Sequence, residues 1–212
     1  MELTRESPAP GIVCFQPRRG YRYGVEAYAL ATFCLDGAPA GGFRTAIDLG
    51  AGSGIVALLL ASQGLRVIAV ERDERWRGVL EASVQASAAE VDMVWGDVRT
   101  VTLPRVDVVV CNPPWYSAGR GSVSPDGHKA AARSTLHGAP EDFVAAGLRC
   151  GPAVCVVLPK TVGLPEVAGA HLARSAAYGG LVLGEYRQGA GRRRIVEVAP
   201  YSPWSSRTAS SL

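Results

Sequence analysis

Apolar residues fall into short runs separated by longer stretches with helical spacing, and this alternation predicts repeated strand–helix units. "TAIDLG" (45–50) reads as a strand, and "SGIVALLLASQG" (53–64) as a helix closed by Gly64. "RVIAVER" (66–72) is a second strand, followed by helical spacing at Trp76, Val79, Leu80, Ser83 and Val84 across 73–87. "VDMVWGDV" (91–98) and "RVDVVVCN" (105–112) follow as strands, the latter a β-branched run of the kind a strand covered on both faces requires. Helices are expected at 141–151 and 164–180, a strand at 153–160, and a closing hairpin-like pair at 181–187 and 193–200. Seven strands in this order predict an α/β fold: a doubly wound, mainly parallel sheet with helices on both faces and right-handed crossovers. Residues 45–200 form that domain, 1–44 an extension with a helix from Val25 to about Leu35 that caps the open side of a site, and 201–212 a tail.

Composition narrows the setting. With 212 residues, 48% hydrophobic and 19% charged, the chain supports one sizeable core. A net charge of +3 permits a nucleic-acid partner without demanding one. Lys129 and Lys160 are the only lysines, and arginines cluster at Arg18, Arg19 and Arg22, at Arg72, Arg75 and Arg77, and at Arg192, Arg193 and Arg194, each cluster reading as solvated surface charge. Five cysteines, at 14, 34, 111, 150 and 155, contain no CxxC pair, which points to a reducing compartment and no structural metal. His128, His137 and His171 lack metal-ligand spacing. The first residues carry no secretory h-region and no apolar run would span a bilayer, so a cytoplasmic protein without membrane contact is expected. Oligomeric state is not legible.

The candidate chemistry sits at strand ends. "DLGAGSG" (48–54) joins the first strand to the first helix, with Gly50 and Gly52 allowing a close backbone approach. Counted from Gly50, the sixth position of a dinucleotide fingerprint is Ile55 rather than glycine, and Asp48 would repel a diphosphate but suit a cation. Glu71 closes the second strand, where a carboxylate can accept both ribose hydroxyls, and Asp97 follows the third, where it can accept from an adenine amine. In a Rossmann-like sheet all these positions gather at the carboxyl edge, which favours a nucleoside ligand.

The fourth strand ends in "NPPW" (112–115). An exocyclic amine or a carboxamide nitrogen is planar and weakly nucleophilic. The Asn112 side-chain oxygen and the Pro113 carbonyl can accept both its N–H groups, Pro114 stiffens the turn, and Trp115 offers a stacking face. The glycine turn, the acids and this motif together resemble the class I S-adenosylmethionine-dependent methyltransferases that modify amino groups. The resemblance implies S-adenosylmethionine as cofactor. It implies a cofactor-binding set of Tyr23, Gly24, Asp48, Gly50, Ala51, Gly52, Gly54, Glu71, Arg72, Asp97, Val98 and Asn112, and a catalytic set of Asn112, Pro113, Pro114 and Trp115, with no metal.

"FQPRRGYRYGVEAYALA" (15–31) is similar to a segment of bacterial methyltransferases acting on adenine N6 in valine tRNA, with Gln16, Gly20, Tyr21, Arg22, Tyr23, Gly24, Ala27 and Leu30 matching. Glu26 stands where that family usually has aspartate, and Trp115 where it has tyrosine or phenylalanine. The resemblance implies RNA, above all tRNA, as substrate. Arg18, Arg19, Arg22, Arg120, Lys129 and Arg133 would meet phosphates, a base would flip into the pocket, and the long 117–140 segment would serve the substrate. Alternatives are a protein glutamine methyltransferase, a small-molecule N-methyltransferase and an inactive S-adenosylmethionine-binding module.

Overall fold

A computed structural model describes residues 2–114 and 138–198 of the chain. The polypeptide opens with an antiparallel hairpin, β1 (Leu3–Ala9) and β2 (Ile12–Pro17), turned at Gly11 with φ +75°. The sequence reading has no strand here. β1 alternates exposed and half-buried positions and carries no apolar run, so its partner strand defines it more than its composition does. The hairpin leads into α1 (Val25–Leu35), which lies where its apolar spacing predicts.

The main sheet is built from β3 (Thr45–Leu49), β4 (Arg66–Glu71), β5 (Val91–Trp95), β6 (Val108–Cys111), β7 (Val154–Pro159), β8 (Ala170–Tyr178), β9 (Leu181–Gln188) and β10 (Arg194–Ile195). Their order is β10-β8-β9-β7-β6-β3-β4-β5. From β5 through β7 all pairings are parallel, and β9 is antiparallel to both β7 and β8. The crossovers carry α2 (Ile55–Ala61), a 3-10 turn (Glu74–Trp76) running into α3 (Arg77–Ser87), and α4 (Pro140–Cys150). None of these helices is long and apolar enough to cross a membrane.

Strand parity divides the core into two layers. Ala46, Val67, Ala69, Val108, Val110, Cys155 and Val157 face α1, α2 and Leu80 of α3. Ile47, Leu49, Val70, Val109, Cys111, Val154, Val156 and Leu158 face α4. Leu58, Leu59 and Leu60 are all buried, so α2 is apolar all round, as a helix enclosed between the sheet, α1 and the hairpin must be.

Two sequence expectations change at the C-terminal side. The helix expected at 164–180 is strand β8 for most of its length, and the closing hairpin is β8–β9 rather than a pairing of 181–187 with 193–200. The alanine-rich stretch "GAHLARSAAY" suits a helix locally, yet β9 needs a partner on the edge that β7 leaves open, and ladder pairing outweighs propensity. The Gly179–Gly180 loop between paired Tyr178 and Leu181 is the local signal of a two-residue hairpin, with Gly179 at φ +54°. A bulge between Leu172 and Arg174 then reverses the facing of β8, taking Leu172 to the α4 layer and Ala176 to the α1 layer. It is β8 that raises the sheet from the expected seven strands to eight, while the strand expected at 193–200 is, among the described residues, the two-residue β10, parallel to β8.

The chain leaves β3 for β4 and β5 on one side and returns to β6 on the other. That reversal creates a crevice between β3 and β6 at the carboxyl ends of the strands, the usual ligand position in an open α/β sheet.

Candidate active site

The crevice opens into a cavity of about 340 Å³. Its floor is the β3–α2 turn. Gly50, Gly52 and Gly54 have φ of +77°, +55° and +82°, a left-handed region open to glycine and costly for other residues. Space adds to the constraint, since a Cβ at Gly54 would stand 2.4 Å from Leu80 Cδ1 and one at Gly50 3.1 Å from Phe143. The Gly50 and Ala51 N–H groups donate to the Val70 carbonyl at 2.8 and 3.0 Å, which ties the turn to β4.

Asp48 lies at the end of β3 with its side chain under α2, 2% exposed, and its Oδ2 accepts from the Ala57 N–H at 3.1 Å. Burial raises its carboxyl to about 7, with the Ala57 N–H opposing and the Glu71 charge adding to the rise. Glu71 closes β4. Its Oε2 accepts from Gly52 N–H (2.9 Å), and its Oε1 from the N–H groups of Arg72 (2.7 Å) and Asp73 (2.8 Å). Burial still raises its carboxyl above the ordinary value. A carboxylate has about four acceptor sites, so Glu71 keeps capacity for a ligand hydroxyl.

Asp97 follows β5 and is held by arginines. It accepts from the Arg99 side chain (Nε 2.9 Å) and backbone N–H (3.0 Å), and from Arg72 Nη1 at 2.7 Å. These contacts, the Arg99 side chain first, hold its carboxyl well below the usual range. The arginines read from sequence as solvated are thus paired: Arg72 with Asp97, Arg75 with Asp73, and Arg77 with Glu74 while lying 4.2 Å over the Trp95 ring.

Asn112, Pro113 and Pro114 leave β6 on the facing wall, and Trp115 lies outside the described residues. Asn112 Nδ2 donates to the Tyr21 hydroxyl at 3.3 Å, and that hydroxyl donates to Glu26 Oε1 at 3.2 Å.

Most of the expected cofactor residues therefore line one cavity: Asp48, Gly50, Ala51 and Gly52, with Glu71, Arg72, Asp97 and Val98 beside them and Asn112 opposite. Tyr23, Gly24 and Gly54 are not on it. Tyr23 packs edge-on against Tyr28 at 6.4 Å, Gly24 N-caps α1, and Gly54 N-caps α2. Sequence reasoning missed Phe143 and Tyr21 as wall residues, and read Trp76 only as helix packing; Tyr21 meets Trp76 edge-on at 6.4 Å. Tyr21 had a signal, since it lies in the segment 15–31 that the resemblance quotes, next to Tyr23. Phe143 and Trp76 had none beyond apolarity. Of the histidines, His171 meets the Gly189 carbonyl at 3.0 Å, and His128 and His137 lie outside the described residues, as do Arg120, Lys129, Arg133 and nearly all of 117–140.

Comparison with known proteins agrees with the fold. A family model described as the methyltransferase small domain matches residues 32–137, half of the chain. A tRNA1(Val) (adenine(37)-N6)-methyltransferase of Tolumonas auensis is 30% identical over 125 residues, covering 57% of this chain and 50% of that protein. The chain spans about half the length of the curated relatives it matches. Among solved structures, a putative RNA methyltransferase of Pyrococcus horikoshii aligns with TM-score 0.58 at 17% identity, covering 87% of this chain and 92% of that one. A tRNA (uracil-54, C5)-methyltransferase of Pyrococcus abyssi in complex with S-adenosyl-L-homocysteine aligns with TM-score 0.56 at 13% identity, covering 88% and 44%. At these identities the structural likeness is one of fold.

Proposed function

The chain belongs to the methyltransferase small domain family, and on that premise we propose that it transfers a methyl group from S-adenosylmethionine to the exocyclic amine of an adenine in structured RNA, with tRNA as the first candidate. The described wall fits the cofactor. A desolvated carboxylate at Asp48 suits a cationic amino group beside a turn whose glycines leave room for close approach. Glu71 would accept a ribose hydroxyl, and Asp97 with Val98 would border the adenine. When bound, the cofactor supplies an electrophilic methyl group on a sulfonium.

The observation that carries the reading is the placement of Asn112-Pro113-Pro114 on the same cavity as Asp48 and Glu71. An adenine amine has two N–H donors and a lone pair delocalised into the ring. Asn112 Oδ1 and the Pro113 carbonyl accept those hydrogens and hold the nitrogen pyramidal, so that its lone pair leaves conjugation with the ring and localises toward the methyl donor. Pro113 is buried and Asn112 and Pro114 half-buried, so the acceptors are held rather than recruited. Each hydrogen bond contributes about 0.5–1.5 kcal/mol net, whereas aligned approach can lower a barrier by up to ~7–11 kcal/mol. Positioning is therefore the main device, and no strong general base is required before methyl transfer. RNA as the partner rests on the named relatives and on the resemblance of residues 15–31.

The experiment incubates the protein with methyl-labelled S-adenosylmethionine and, separately, bulk bacterial tRNA, protein and small-molecule fractions. Label in tRNA adenine, lost by at least about 100-fold in Asn112→Ala, is the expected result. Undiminished transfer by Asn112→Ala would refute the mechanism, and label confined to protein would refute the RNA substrate.

A further inference from the structure

Asn112 can serve as an acceptor only if its carboxamide is turned the right way round. Rotated by half a turn, the same side chain would offer NH2 to the substrate amine, donor against donor. The surroundings of Asn112 fix this choice. The Tyr21 hydroxyl carries one hydrogen, and Glu26 Oε1 accepts it at 3.2 Å. A carboxylate oxygen has no hydrogen to return. The Tyr21 oxygen is therefore left to accept, and the group it accepts from is Asn112 Nδ2 at 3.3 Å. The reversed amide would set two acceptor oxygens against each other. Hydrogen-bond polarity thus runs one way, from Asn112 through Tyr21 to Glu26, and leaves Oδ1 turned from Tyr21.

The N-terminal region holds this relay in place. Glu26 is 7% exposed, and its Oε1 also accepts from the Gly24 N–H at 3.0 Å. Gln16, 1% exposed, takes the Tyr23 N–H on Oε1 (2.9 Å) and donates from Nε2 to Glu6 (2.8 Å). Arg22 pairs with Glu6 and donates to Thr4 Oγ1 at 2.8 Å. The hairpin itself is pinned to α3 by Ser83 and Ser87, which bond the Phe15 and Val13 N–H groups, each at 2.9 Å. A short strap carrying Tyr21 is thereby fixed on both sides.

We propose that Tyr21, oriented by Glu26, is a positioning residue that sets the carboxamide of Asn112 for amine recognition, and that residues 2–24 serve to hold it there. The inference rests on the reading of Asn112 as the amine acceptor. It assigns Tyr21 no contact with the reacting atoms.

The test compares Tyr21→Phe, Asn112→Ala, the double variant and Glu26→Gln in labelled methyl transfer to tRNA. Tyr21→Phe keeps the ring against Trp76 and removes only the hydroxyl. Its kcat falls about tenfold, the effect of a ~1.4 kcal/mol change in barrier, while KM for S-adenosylmethionine changes less than about twofold. In the Asn112→Ala background the same substitution has no further effect, because its target is gone. Glu26→Gln, whose carbonyl still accepts from Tyr21 and Gly24, loses less than Tyr21→Phe. A second readout needs no substrate: the Asn112 side-chain NH2 resonances in an ¹⁵N-labelled protein, assigned by their loss in Asn112→Ala, shift in Tyr21→Phe. An effect of Tyr21→Phe that persists undiminished in Asn112→Ala, or unmoved Asn112 resonances, overturns the proposal. Full activity of Asn112→Ala instead overturns the reading beneath it.

Discussion

Replacing Asp48 with asparagine separates what the buried carboxylate costs the fold from what it does for a ligand. Burial raises this carboxyl from its ordinary 3.8 to about 7. A displacement of about 3 units at ~1.36 kcal/mol per unit is about 4 kcal/mol against the charged form. The sign follows from proton counting. Between 3.8 and about 7 the folded protein holds a proton that the unfolded chain has released, so stability falls as pH rises through this window, and is flat above it. Asparagine does not titrate, and its Oδ1 can still accept the Ala57 N–H. Its amide hydrogens need a new acceptor, a pH-independent offset of about 1–3 kcal/mol. Relative to the parent, Asp48→Asn therefore gains about 2–3 kcal/mol on going from pH 5 to pH 8. Urea unfolding at both pH values measures this directly. Repeating it with S-adenosylmethionine supplies the other half: at 100 times Kd the cofactor stabilises the parent by about 2.7 kcal/mol, and the variant by clearly less. The reasoning fails if the stability difference is the same at pH 5 and pH 8, or moves toward the parent at pH 8.

Two further substitutions test how the site is carried. Gly54→Ala puts a Cβ 2.4 Å from Leu80 Cδ1 at φ +82°, and is expected to cost about 2–4 kcal/mol in denaturant unfolding. An unchanged midpoint would mean that the β3–α2 turn tolerates another geometry. Arg174→Met leaves Glu185, whose side chain is 5% exposed, without the Arg174 contact at 2.7 Å, and also removes a donor to the Phe33 carbonyl in α1. The loss is about 3 kcal/mol, at the low end for a broken buried pair because Arg187 still reaches Glu185 at 2.7 Å. The double variant Arg174→Met with Glu185→Leu should recover part of it, as measured by the same unfolding curves.

The grouping of the candidate site residues was legible in the sequence where they are fixed by their own strand ends. Asp48, Glu71, Asp97 and Asn112 each stand at or just beyond the last residues of parallel strands, so recognising the strands was enough to bring them together. Tyr21 was legible only through the resemblance of segment 15–31, not as a partner of Asn112. It is 91 residues from Asn112, and the contact exists only because the β1–β2 hairpin lies on α3. Nor did the sequence reveal how the acids are divided. Asp97 is held charged by Arg99 and Arg72, whereas Asp48 is pushed toward its neutral form, and the difference is one of solvation and neighbours rather than residue type.

By itself the sequence determined the parallel α/β core, because short apolar runs alternating with stretches of helical spacing suit doubly covered strands joined by helical crossovers. It determined the glycine turn as well, since the backbone angles at Gly50, Gly52 and Gly54 are open to few other residues. Tertiary structure alone decided that the alanine-rich stretch at 170–178 is a strand. It decided that residues 2–24 brace Asn112, and which way that amide points. In each case the deciding interaction is one that local propensity cannot encode: a ladder partner for β8, and for Asn112 a hydroxyl supplied from 91 residues away.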